Sequence, residues 1–161
     1  MWKNILLPYS IAYMLTTGSL VYFFKLPNWV IGEKKSPLIY EYYHKNGITS
    51  FIFDYFLIAF YLLIAYLIFS RVFHYKWDDY RTNIQKMLIV GFTTLFISSF
   101  FWILFVYGIK KNNTFFSRWF HHVGYKAVIY DYVIVSLTYF MFHIVRDKDF
   151  LLSKIIDNIR I

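Results

Sequence analysis

The chain has 161 residues, of which 59% are hydrophobic, 25% aromatic and only 16% charged, with a formal net charge of +8 and no cysteine. A soluble domain of this length carries about 25% charged residues and far fewer aromatics, so the composition excludes an ordinary water-soluble fold. The missing cysteine excludes disulfides, thiolate metal sites, iron–sulfur clusters and redox thiols, and with them a small four-span thiol oxidoreductase.

The apolar residues gather into four blocks, residues 5–24, 51–70, 87–109 and 127–145. Each is about as long as the roughly 20 residues a helix needs to cross a bilayer. Inside them the only formal charges are Asp54 and Asp131. The expectation is an all-α membrane protein, a bundle of four transmembrane helices forming one integral membrane domain over residues 1–161. The first block has the look of a secretory leader, with Lys3 ahead of it and Thr16-Thr17-Gly18-Ser19 as a small-residue zone. The apolar run continues past those residues through Phe24, so a retained first helix is expected.

In the first loop, Ser36-Pro37 reads as an N-cap followed by proline at the first helical position. The segment PLIYEYYHK then predicts a short aromatic helix, whose Tyr40, Tyr42 and Tyr43 suit the headgroup region. Gly47 marks a turn into the second span, where Asp54 appears. The second loop, RVFHYKWDDYRTNIQK, is charged and aromatic. The third loop mirrors the first: Thr114 as a cap, Trp119 and Phe120 as interfacial anchors, then Gly124 and the fourth span with Asp131. In the tail, residues 149–161, Leu151, Ile155 and Ile159 share a stripe away from Lys154, Asp157 and Arg160. That predicts an amphipathic helix on the membrane surface.

The basic residues are spread through the loops, which fits anionic headgroups better than nucleic acid, and no nucleic-acid partner is expected. The N-terminus, second loop and tail hold nine Lys and Arg, against eight in the other two loops. This small excess orients both termini to the inside.

The two halves align at an offset of 77 residues. His44 falls on His121, Gly47 on Gly124, Ile52 on Ile129, Asp54 on Asp131 and Tyr55 on Tyr132, which makes five identities in 12 ungapped positions. This predicts a repeat, first over residues 1–75 and again over 80–148. Each repeat holds two spans, so the two insert in the same orientation, as parallel repeats. The two aspartates then lie at one depth on one side. Small residues recur at helical spacing in the first helix of each half, Ala12, Thr16 and Ser19, then Gly91, Thr94 and Ser98. These predict that the first and third helices meet at the centre of the bundle.

Asp54 and Asp131 are the sharpest chemical features, with His44 and His121 beside them. Carboxylates inside spans are proton or ion sites by default. The four side chains together also make a conceivable metal set. The competing reading places each aspartate near its helix start, favoured by the dipole and paired with Lys45 or Lys126. Bis-histidine haem ligation by His74 and His143 is disfavoured, because the two are not equivalent under the repeat. No Ser-His-Asp, zincin, P-loop or dinucleotide pattern is present.

The segment FFSRWFHHVGYKAVIYDYVIVSLTYF resembles part of a group of small multispan membrane proteins encoded by giant DNA viruses. The residues that carry the resemblance are Arg118, Trp119, Gly124, Lys126, Ala127, Ile129, Tyr130 and Asp131. The first repeat departs from the pattern, with Thr49 and Ser50 where Lys126 and Ala127 stand. The resemblance covers about 25 residues and implies a component of a virion's internal membrane.

The expected function is therefore a non-enzymatic structural or assembly role in a virion or organelle membrane. The alternatives are a small transporter, channel or proton-handling subunit using the paired aspartates, or an interfacial membrane enzyme. The expected partners are the lipid bilayer and other membrane proteins or a second copy of the chain. No cofactor, metal or catalytic residue is expected.

Overall fold

The computed structural model describes residues 3–72, 83–109 and 113–159, with side chains given up to Arg146. Among the described residues the chain is helical, with no strand. The helices are α1 (Lys3–Thr17), α2 (Leu26–Ile31), α3 (Ser36–Tyr40), α4 (Gly47–Val72), α5 (Asn83–Ile103), α6 (Phe115–Val123) and α7 (Tyr125–Ile159). Three of them, α1, α3 and α5, relax at their C-terminal ends into wider π-helical turns at Gly18–Phe23, Glu41–Lys45 and Leu104–Gly108. Four segments are long and apolar enough to cross a membrane: Ile5–Phe23, Gly47–Val72, Gln85–Gly108 and Tyr125–Arg146. The predicted second loop, including His74, lies mostly outside the described residues.

The stops follow local chemistry. After α1 the chain reverses through Lys25, whose φ of 51° is rare for a residue with a side chain. Pro27 then sits in the first turn of α2. Gly32, at φ 101°, ends α2, its N–H bonded to the Asn28 carbonyl. Pro37 stands at the start of α3 as expected, but Lys35 holds the N-cap position and no side chain caps the helix. Thr114 does take the N-cap position of α6, in an extended conformation.

The two glycines of the predicted motif behave differently. Gly124 has φ 63° and ψ −143°, a conformation open to glycine, and makes a real break between α6 and α7. Gly47 has no positive φ and opens α4 after Asn46, which closes the π turn, so the glycine itself makes no turn in the first half. The tail is not a separate helix, because α7 runs unbroken to Ile159. No glycine or proline lies between Tyr125 and Ile159 to interrupt it.

The four long helices form a ring in the order α1, α7, α5, α4. This corrects the expectation that α1 and α5 meet: they stand diagonally, and α7 packs against both. The reason lies on α7 itself. Its buried residues, among them Ala127, Val128, Ile134, Val135, Ser136 and Thr138, cover more than half its circumference, so it buries two faces at once. The outer faces keep large apolar residues exposed, including Leu7, Phe56, Phe92, Phe96 and Phe100, as helices in contact with acyl chains do.

Candidate functional site

Asp54 is the eighth residue of α4 and Asp131 the seventh of α7. At 1.5 Å per residue each stands about two turns, roughly 10 Å, inside its helix. The ring arrangement points both carboxylates at a single cavity between the helices. Its polar lining is Thr17, Asp54, Tyr61, Tyr130 and Asp131, and the remainder is aliphatic. Its room is about 20 Å³, enough for a water or two. Among the described residues no Lys or Arg lines it.

Each carboxylate is held by a hydroxyl. The Tyr42 hydroxyl donates to Asp54 Oδ1 at 2.6 Å. Ser98 Oγ donates to Asp131 Oδ2 at 2.7 Å. Tyr61 lies 3.0 Å from Ser98 Oγ. The serine proton is committed to Asp131, so the Tyr61 phenol is the donor, and a relay runs Tyr61 to Ser98 to Asp131. On another wall the buried Tyr43 hydroxyl donates to Tyr130 at 2.7 Å, which leaves the Tyr130 proton for an acceptor on the cavity side. Thr17 is 3% exposed, and its hydroxyl makes no well-formed hydrogen bond within the protein.

The expected loop-cation partners are elsewhere. Lys126 Nζ donates to the Ile31 carbonyl at 3.2 Å, and Lys45 is exposed. The histidines also stay apart from the aspartates. His44 stacks on Tyr40 at 5.2 Å and meets the edge of Tyr22 at 6.1 Å. His121 is half-buried, with Nε2 making no hydrogen bond. Among the described residues no three His, Asp or Glu side chains gather closely enough to hold a metal, so the structure does not assemble the four-residue set. His143 is buried against Tyr139 and Phe142.

A cap covers the end of the bundle where Tyr42 sits. The Tyr42 ring stacks on Phe115 at 4.9 Å and lies 5.8 Å from Trp119, both on α6. Beside it Arg118 reaches Glu41 with two parallel hydrogen bonds, of 2.9 and 2.5 Å. Those bonds hold the Glu41 carboxyl below its usual range and raise Arg118 in turn. Burial, then the neighbouring Asp54 charge, pushes the Tyr42 phenol far up, so it stays a proton donor at any physiological pH.

The sequence singled out the two aspartates but not their partners. Ser98 was legible only as a small residue on a packing face, and Tyr42 only as an interfacial aromatic. Nothing in the local sequence marks Tyr61, since it is one of 16 tyrosines. The chain matches no protein-family model, no curated protein and no solved structure.

Proposed function

We propose that the protein is a small multispan membrane protein that binds and passes a proton or a small monovalent cation at the Asp54–Asp131 cavity. The observation that carries this is the shared cavity: two carboxylates from two helices line it with no cationic side chain among the described residues. Two carboxylates in a mostly aliphatic setting need a neutralising proton or cation, because uncompensated charge there costs several kcal/mol. The Thr17 hydroxyl and the Tyr61–Ser98 relay supply further oxygens to a cation, or a hydroxyl path to a proton. A cavity of about 20 Å³ is too small for a lipid substrate, which disfavours the enzymatic reading.

The internal repeat belongs to this reading. Residues 77 apart meet each other: Glu41 with Arg118 and Tyr42 with Trp119. The cavity takes Asp54 with Asp131, Leu57 with Ile134 and Ile58 with Val135 from the same offset. Residues near a two-fold axis contact their own counterparts, so these pairs support an axis through the cap and the cavity. In the same reading α3 and α6 lie in the headgroup region and the two termini share the inner side. The host membrane is a virion or organelle membrane.

Reconstitution in liposomes loaded with a pH-sensitive dye, under imposed proton, sodium and potassium gradients, tests the proposal. Flux is expected from the wild type and its loss from Asp54→Asn and from Asp131→Asn, with both variants still folded. A wild type that dissipates none of the three gradients returns the protein to the structural or assembly role.

A further inference from the structure

A second pocket lies at the capped end of the bundle, lined by Lys34, Lys35, Pro37, Leu38, Arg118 and His122. At about 240 Å³ it is far roomier than the aspartate cavity. Three of its six lining residues carry a fixed positive charge. Glu33 precedes the two lysines in the same short turn but does not line the pocket. Arg118 spends two of its five N–H donors on Glu41, which leaves three. Pro37 and Leu38 give the pocket an apolar wall. It therefore combines an excess of cationic donors with a hydrocarbon surface, and its His122 stands three residues before Tyr125, where the long apolar helix α7 begins.

We propose that this pocket binds the phosphate of an anionic lipid headgroup, with Lys34, Lys35 and the unused face of Arg118 as its donors. A phosphate oxygen accepts from several N–H groups at once, and a fixed guanidinium gives the site direction that the flexible lysines lack. Basic pockets between membrane helices hold phosphorylated headgroups for this reason. The glycerol and upper acyl carbons lie along Pro37 and Leu38. The inference rests on the reading of the four long helices as spans and is independent of any flux through the aspartate cavity.

The test uses the full chain in detergent, with retention of phosphatidylglycerol against phosphatidylcholine counted by native mass spectrometry. Both lipids carry the same phosphate diester and only phosphatidylcholine adds a choline cation, so a preference for phosphatidylglycerol reports recognition of a net anionic headgroup. The wild type is expected to retain it selectively. The double variant K34Q/K35Q is expected to lose about tenfold in retention. K25Q/K45Q makes the same charge change at exposed lysines outside the pocket and is expected to retain the lipid like the wild type. Inorganic phosphate at matched ionic strength separates the sources. Displacement of the lipid means that the pocket also takes free phosphate, and no displacement means that it needs the lipid as a whole. Equal losses in the two double variants, or a wild type indifferent between the two lipids, would overturn the site.

Discussion

The two helical hairpins of the bundle close in different ways. Between α5 and α7 the backbones come near, because Gly91 has no side chain where the Tyr132 ring lies. A Cβ there would sit 2.7 Å from Tyr132 Cε2. Ser98, further along the same face, reaches Asp131 directly. Between α1 and α4 the backbones stand apart and tyrosines fill the gap. Tyr13 donates to the Phe51 carbonyl at 2.7 Å, and Tyr9 donates to the Tyr55 carbonyl. The Tyr55 hydroxyl reaches Ser10 at 2.9 Å. At the 77-residue offset Gly91 corresponds to Met14, and Tyr13 to Val90. A shared motif at the helix starts thus leads into two unlike interfaces, and the bulk at two or three crossing positions decides which one forms. In lipid this is expected, since helix association depends on close packing and interhelical hydrogen bonds rather than on water exclusion.

Substitutions at the paired positions break this contrast. The largest effect is expected at Tyr13, which is fully buried and spaces the first hairpin. Tyr13→Ala should cost about 3–5 kcal/mol, against about 2 kcal/mol for its counterpart Val90→Ala, read from unfolding in mixed detergent. Equal costs would mean that the tyrosines fill space without setting the helix separation. Next comes Gly91→Leu, whose side chain must displace Tyr132, at about 2 kcal/mol. Its mirror, Met14→Leu, lies on an exposed face and should stay within about 0.5 kcal/mol. If Met14→Leu destabilised as much, α1 and α4 would be as tightly packed as α5 and α7.

The smallest effect concerns the link between the halves. Arg118 hydrogen bonds hold Glu41 below its ordinary value of 4.5. A lowered carboxyl contributes its stability in full above the unfolded value and loses it as pH falls through the folded one. The difference in thermal midpoint between wild type and Glu41→Gln should therefore be constant near neutrality and shrink as the pH drops below about 4.5. A difference that stays flat through that window would show that the pair does not hold the cap.

Much of the architecture was legible because it depends on short-range properties. Four apolar runs of about 20 residues make four long helices wherever their partners lie, even with Pro8 in the first turns of α1 and Gly91 inside α5. Pro37 and Thr114 stand at helix starts as expected, although neither helix is capped by a side-chain hydrogen bond. Less legible was Gly47, identical to Gly124 in the motif yet absorbed into a helix, because the preceding π turn already redirected the chain. The small-residue face of α5 is buried at Gly91, Thr94 and Ser98, and on α1 Ala12 and Thr16 are buried while Ser19 is exposed in the π turn; the partner of both faces was assigned wrongly. Spacing along one helix reports a face, not which neighbour meets it.

The sequence by itself determined the four apolar helices, the positions of Asp54 and Asp131 near two helix starts, and the absence of any thiol chemistry. These follow from composition and from periodicity within about 20 residues. Only the tertiary structure decided that the aspartates share one cavity, that Tyr42 and Ser98 rather than Lys45 and Lys126 hold them, and that α7 separates α1 from α5. The physical reason is that a carboxylate's partner is set by which helices lie side by side. That is fixed by steric fit between distant residues such as Gly91 and Tyr132, which no local stretch of sequence contains.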